Sequence, residues 1–274
     1  MSKYPQNLYH YTNCKSLESI LTHKTIRFCP LSSVDDLQEE KAKDAVALGK
    51  RIFVSSWCAD EQENIPMWEQ YGDSFKGVRI KLPANPFQIY HYSPEELSHY
   101  VKNPDKLQMD TRVPIKDIVN PHHIVTPYNL DTDFLYPITY TDDIKYLYPQ
   151  LTTVENGTET TQFSLLGKHK NTMWAYQKEW RYILTIYPFS INMMQQYINF
   201  PLGFQLLRSV MLNGLDFPHL DYYDMSIDDT CFAEMEITLG YKMPPESKDQ
   251  IISFIKSKNP QARIIESKLA TLLR

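Results

Sequence analysis

Only eight of the 274 residues are glycine, at positions 49, 72, 77, 157, 167, 203, 214 and 240. Glycine is ordinarily roughly 7% of a protein, so the chain has little with which to build loops that wrap phosphates with bare backbone. No two glycines have the spacing of a dinucleotide fingerprint. Gly72 and Gly77 have the gap of a phosphate loop, but Val78 and Arg79 follow where Lys and Ser/Thr are needed. These absences argue against a Rossmann or P-loop enzyme. A bound nucleotide would have to be held by side chains and aromatic faces, and the chain is rich in these: 19 tyrosines, 12 phenylalanines and 4 tryptophans.

The formal net charge of −5 argues against a broad nucleic-acid footprint, which needs a basic surface, but leaves room for a local basic groove. No apolar run approaches a membrane span, and Met1-Ser2-Lys3-Tyr4-Pro5 lacks an apolar signal region. Cys14, Cys29, Cys58 and Cys231 lie far apart, as reduced thiols of a cytoplasmic protein would. His122-His123 has no further ligand at metal-binding spacing, so no metal site is expected.

Leu8 to Tyr11 reads as a short strand, with Leu8 and His10 on one face and Tyr9 and Tyr11 on the other. Asn13 caps a helix bearing Leu17, Ile20 and Leu21. Thr25 to Cys29 and Arg51 to Trp57 read as strands. Between them, Ser32 or Ser33 caps an expected helix whose acidic start (Asp35, Asp36, Glu39, Glu40) complements its dipole and whose end is Gly49. Pro66 opens a short helix closed by Gly72, and Gly77 to Leu82 alternates as a strand. Residues from about 83 to 160, dense in Pro, Tyr, His and Asp, read as an insertion or lid with a short strand near 137–140. Asn156-Gly157-Thr158 is sequon-like, which carries no meaning in a cytosolic protein. A helix is expected from about 161 to 176, then a strand from Glu179 to Tyr187. The C-terminal part reads as strand (Phe232 to Leu239), helix and strand (Arg263 to Ile265). The sum is one α+β domain over 1–274, with a mixed, mostly antiparallel sheet and flanking helices.

Three places can carry chemistry. His10, followed by Tyr11 and Thr12, is either a satisfied edge residue or a donor to a sugar hydroxyl beside a stacking ring. Ser55-Ser56 is either a strand terminus or a pair of hydroxyls bracing a ligand or carboxylate. Gln177 and Glu179, two apart at a strand start, either grip a ribose hydroxyl or leave Glu179 in a surface ion pair with Arg181.

Taken together, several motifs carry a resemblance. They are Leu8-Tyr9-His10-Tyr11-Thr12, Phe53 to Trp57, Met67-Trp68-x-x-Tyr71 with Gly77 to Ile80, Trp174 to Arg181, and Ile237-x-Leu239-Gly240. In order and spacing these resemble the bacterial family named domain of unknown function 2971, from about residue 7 to about 265. That family name implies no activity. More distantly, the order strand-His, strand-Ser, strand-Glu is similar to the ADP-ribosyltransferase superfamily. This second resemblance implies NAD as substrate, with a protein or nucleic acid as acceptor and a toxin or anti-phage setting. It implies that His10 binds the adenosine ribose, with Thr12 and Ser56 among the NAD-contacting residues. Ser55 would brace Glu179, and Tyr11 or Tyr71 would stack the nicotinamide. Glu179 would stabilise the oxocarbenium-like transition state and Gln177 would face the acceptor. The sequence departs from that pattern in Ser55-Ser56-Trp57, where the superfamily has Ser-Thr-Ser. The competing expectation is a non-enzymatic ligand-sensing or interaction module with an aromatic pocket.

Overall fold

The computed structural model describes residues 4–100, 109–127, 134–200, 202–214 and 220–272. Ten strands form its main sheet: β1 (Asn7–Thr12), β2 (Thr25–Pro30), β3 (Ile52–Cys58), β4 (Val78–Pro83), β5 (Ile124–Pro127), β6 (Leu135–Pro137), β7 (Glu179–Tyr187), β8 (Tyr223–Ser226), β9 (Glu236–Leu239) and β10 (Arg263–Glu266). The helices that matter here are α1 (Cys14–His23), α2 (Ile65–Gln70), α3 (Ile191–Ile198), α4 (Gly203–Asn213) and α5 (Pro245–Lys258). All pairs in the sheet are antiparallel except β9 with β10, which are parallel with α5 between them in sequence. This is the α+β arrangement expected.

Asn13 caps α1 by accepting from the Ser16 N–H, and Lys24 ends it in the left-handed region. Asn64 caps α2 by accepting from Met67 N–H, with Pro66 in the first turn. β7 is the spine of the sheet. Along one edge it pairs with β3 from Glu179–Cys58 to Thr185–Ile52; along the other it pairs with β5 and β6. Residues 124–127 and 135–137 therefore complete the sheet from within the stretch read as an insertion, of which 101–108 and 128–133 lie outside the described residues.

Alternation sorts the core onto two faces. Leu8, Phe53, Trp57, Tyr182, Leu184 and Ile186 pack on one, with α1 and α5. The other face holds two apolar clusters, one around Ile52, Val54 and Ile183 with α4, the other around Tyr9, Tyr11, Cys58 and Trp68.

Three expectations fail, each for a visible reason. Residues 34–47 are not a helix but an irregular loop between two short 3-10 turns, Leu31–Ser33 and Leu48–Lys50. Its acids turn inward: Asp44 accepts from the N–H groups of Leu151 and Thr152, and Glu39 is buried. Residues 161–176 are not one helix either. They break into a 3-10 turn (Phe163–Leu165), a two-residue strand (His169–Lys170) and a 3-10 helix (Thr172–Gln177). The preceding Asn156-Gly157 is the turn of a hairpin (Thr152–Glu155 with Thr158–Thr161), both residues at positive φ, as two-residue hairpin turns require. Finally, Asp228 caps a one-turn helix (Asp229–Ala233), so the strand expected from Phe232 begins only at Glu236.

Between α2 and β4, Asp73, Ser74 and Phe75 all have positive φ, a left-handed turn made without glycine. Phe75 is buried against Tyr241, which holds the turn in place. The flanking glycine is needed for another reason: a Cβ on Gly77 would sit 2.3 Å from the Thr12 carbonyl oxygen. Gly77→Ala is expected to cost at least about 2 kcal/mol, a fall of about 4–8 °C in Tm. Gly157→Ala, with open space but a positive φ, should cost about 1 kcal/mol. Thermal melts of the two variants check this; equal losses would contradict it.

Candidate functional site

The sheet divides at Ser55–Trp57. On the edge of β3 away from β7, β2 pairs with Phe53 and Val54, and β1 pairs only with Cys58. Ser55, Ser56 and Trp57 face no strand there, and the side chain of His10 enters the gap. Its Nδ1 lies 3.0 Å from the Ser56 carbonyl oxygen. A carbonyl can only accept, so Nδ1 carries the proton and Nε2 of the neutral ring is an acceptor. Burial pushes His10 below its ordinary value, outweighing the opposing pull of the Ser56 bond. Its ring centroid is 5.1 Å from that of Trp57.

Two cavities meet at His10. The first, of about 210 Å³, takes Tyr9, His10 and Tyr11 from β1, and Ser56 and Trp57 from β3. Met67 and Tyr71 come from and just after α2, Val34 and Asp35 from the loop after β2, and Lys170, Gln177, Glu179 and Arg181 from the approach to β7 and its start. The second, of about 220 Å³, is lined by His10, Thr12 and Ser55 together with hydroxyl-bearing residues of α1 and β2 and the Arg27–Asp224 pair. Of the residues singled out in the sequence, His10, Tyr11, Ser56, Tyr71, Gln177 and Glu179 thus share one cavity. Thr12 and Ser55 line the other, and His10 is common to both.

The floor of the first cavity is a buried ionic cluster. Glu39, Lys170, Glu179 and Arg181 are all nearly inaccessible to solvent. Arg181 donates from Nε to Glu179 Oε1 (2.5 Å), from Nη2 to Glu179 Oε2 (3.2 Å) and to Glu39 Oε1 (3.0 Å), and from Nη1 to Glu39 Oε2. Lys170 Nζ lies 3.0 Å from Glu179 Oε2 and 3.3 Å from Glu39 Oε1. Two carboxylates and two cations sum to zero. Burial alone would raise the Glu179 pKa, but Arg181 and Lys170, with hydrogen bonds from Arg181 and Ser56, hold it at about 2. The same carboxylates push Arg181 upward against its own burial. The Glu179–Arg181 pair foreseen at the surface is therefore an interior one. The hydroxyl beside Glu179 belongs to Ser56, whereas Ser55 lies on the opposite face and accepts from Trp57 Nε1 at 3.1 Å.

A hydrogen-bond chain leaves this cluster. Lys170 Nζ donates to Gln177 Oε1 (2.8 Å), and Gln177 Nε2 donates to the Tyr71 hydroxyl (2.8 Å). Burial, followed by the nearby Asp35 carboxylate, pushes the Tyr71 phenol pKa up. Sequence reasoning missed Asp35, Glu39 and Lys170. The acids look like a helix start, and Lys170 lies in a segment read as helix. The odd signal was a run of acids with no following apolar 3.6-residue period.

Residues 67–182 match the model of a family described as Protein of unknown function (DUF2971). The matched span includes Tyr71, Lys170, Gln177, Glu179 and Arg181, and ends within β7. No curated protein and no solved structure matches the chain. Among the described residues, no group of three or more His, Cys, Asp or Glu could hold a metal ion, and no helix is long and apolar enough to cross a membrane.

Removing one member of a buried ionic cluster strands the rest. Glu179→Gln should lower stability at pH 7 by about 3–5 kcal/mol. The folded-state pKa of Glu179 is depressed, so its contribution is complete above pH 4.5 and is lost as the pH falls towards about 2. Urea titrations across that window should show the gap between wild type and variant closing as pH falls; a gap that widens contradicts the assignment. His10 should titrate below 6.5 by NMR.

Proposed function

We propose that this chain is an ADP-ribosyltransferase-like enzyme that uses NAD to modify a macromolecule. One observation carries the reading: His10, Tyr11, Ser56, Tyr71, Gln177 and Glu179 converge on one cavity in which the Glu179 carboxylate is fixed and ionised. In such a transfer the bond between ribose C1′ and the nicotinamide nitrogen breaks, and nicotinamide leaves with the electron pair. Positive charge develops at C1′, and the acceptor closes the new bond there and releases a proton to water. A carboxylate held in place beforehand, away from bulk water, stabilises that charge. The cavity of about 210 Å³ is below the roughly 300–1,000 Å³ of a drug-sized site. It suits the nicotinamide end of the dinucleotide. Gln177, between Lys170 and Tyr71, would face the acceptor.

A second reading, a ligand-sensing module without transfer, has one specific observation behind it. Both Glu179 oxygens are already occupied by Arg181 and Lys170, and the cluster is electrically neutral. Transfer then requires Lys170 to yield its place to a ribose hydroxyl.

Nicotinamide release from NAD distinguishes the two. Glu179→Asp keeps the charge and draws the carboxylate back by about one bond, so release should fall about a hundredfold while the fold is retained in thermal melts. Tyr71→Phe should weaken NAD binding. Release unchanged in Glu179→Asp, or no NAD binding by calorimetry, refutes the enzyme; NAD bound without release supports the sensor.

A further inference from the structure

The wall chemistry of the first cavity says which ring it prefers. Tyr9, Tyr11, Trp57 and Tyr71 give it aromatic sides. Four of its charged neighbours, Glu39, Lys170, Glu179 and Arg181, cancel one another within direct contact distance. His10 is a neutral hydrogen-bonding ring. That leaves Asp35, which has no ion pair among the described residues. It is an exposed residue of the cavity lining. The Gln177 amide can only donate to Tyr71, which leaves the phenol hydrogen free for an acceptor on the cavity side. The cavity therefore combines aromatic faces with one uncompensated negative charge, a combination that favours cations.

We infer that this cavity selects a monocationic aromatic ring over a neutral one of the same shape, and that Asp35 is the residue that sets the preference. This rests on the reading above only in that a ligand ring enters the cavity; it does not depend on transfer. Asp35 acts on binding rather than on the reacting bond, since it lies at the mouth and not beside Glu179.

The test uses two isosteres small enough for the cavity: 1-methylnicotinamide, a cation, and 3-methylbenzamide, its neutral counterpart. By calorimetry the wild-type protein should bind the cation about fivefold more tightly, the scale of one partly exposed charge. In Asp35→Asn that ratio should fall to about one, while 3-methylbenzamide binds as before, which also reports that the cavity is intact. An unchanged ratio in the variant, no preference in the wild type, or failure of both rings to bind overturns the inference. If the ratio behaves as expected but NAD is never cleaved, the enzymatic reading fails and the cation selectivity stands. If NAD is cleaved but the ratio is absent, the reverse holds.

Discussion

Charge burial governs this structure. Arg181 is among the largest fully buried side chains, near the start of the longest strand of the sheet. An isolated cation there would be prohibitively costly, and even a paired one is costly when its partner is removed. Glu39 and Glu179 neutralise it, and Lys170 neutralises the second carboxylate. These residues come from the loop after β2, from the short strand at 169–170 and from the start of β7. The cluster therefore ties the loop after β2 to the chain from 170 to 181, about 130 residues further on in sequence. The 34–47 loop keeps its irregular path because a regular helix would not bring Glu39 to Arg181 while Asp44 reaches the backbone at 151–152.

The division of the sheet at Ser55–Trp57 follows from the same region. β3 is shared by β2 and β1 on one edge, and neither covers the three residues between. Backbone left unpaired in a sheet must find another partner. His10 supplies one for the Ser56 carbonyl, and in doing so places an imidazole between two cavities. Two serines in a row, poor strand formers, are tolerated because this stretch is not an ordinary ladder. One hydroxyl faces the ionic cluster and the other the aromatic core.

Much of the framework is legible in the sequence because it depends on local signals. The Asn13 cap, the Pro66 helix start, the alternation of β1 and β7, and the same-side placement of Glu179 and Arg181 all follow from period and capping chemistry. What was not legible depends on partners distant in sequence. Asp35, Asp36, Glu39 and Glu40 resemble a dipole-complementing helix start until Arg181 is brought beside Glu39, and Asp44 until residues 151–152 are brought beside it. Residues 161–176 have apolar spacing compatible with a helix, but Lys170 must reach Glu179 and Glu39, and the chain breaks to allow it. The Asn156-Gly157 hairpin has a local signal, a dipeptide in which both residues take positive φ. The left-handed run Asp73–Phe75 has no glycine to announce it.

One wall serves two rooms in this protein. Because His10 lines both cavities, an occupant of either that shifts the imidazole also reshapes the other. The two sites are then thermodynamically linked: whatever factor the first ligand applies to the affinity of the second, the second must return to the first. A single neutral ring bonded to one carbonyl is thus a common wall of two small cavities on opposite sides of a split sheet.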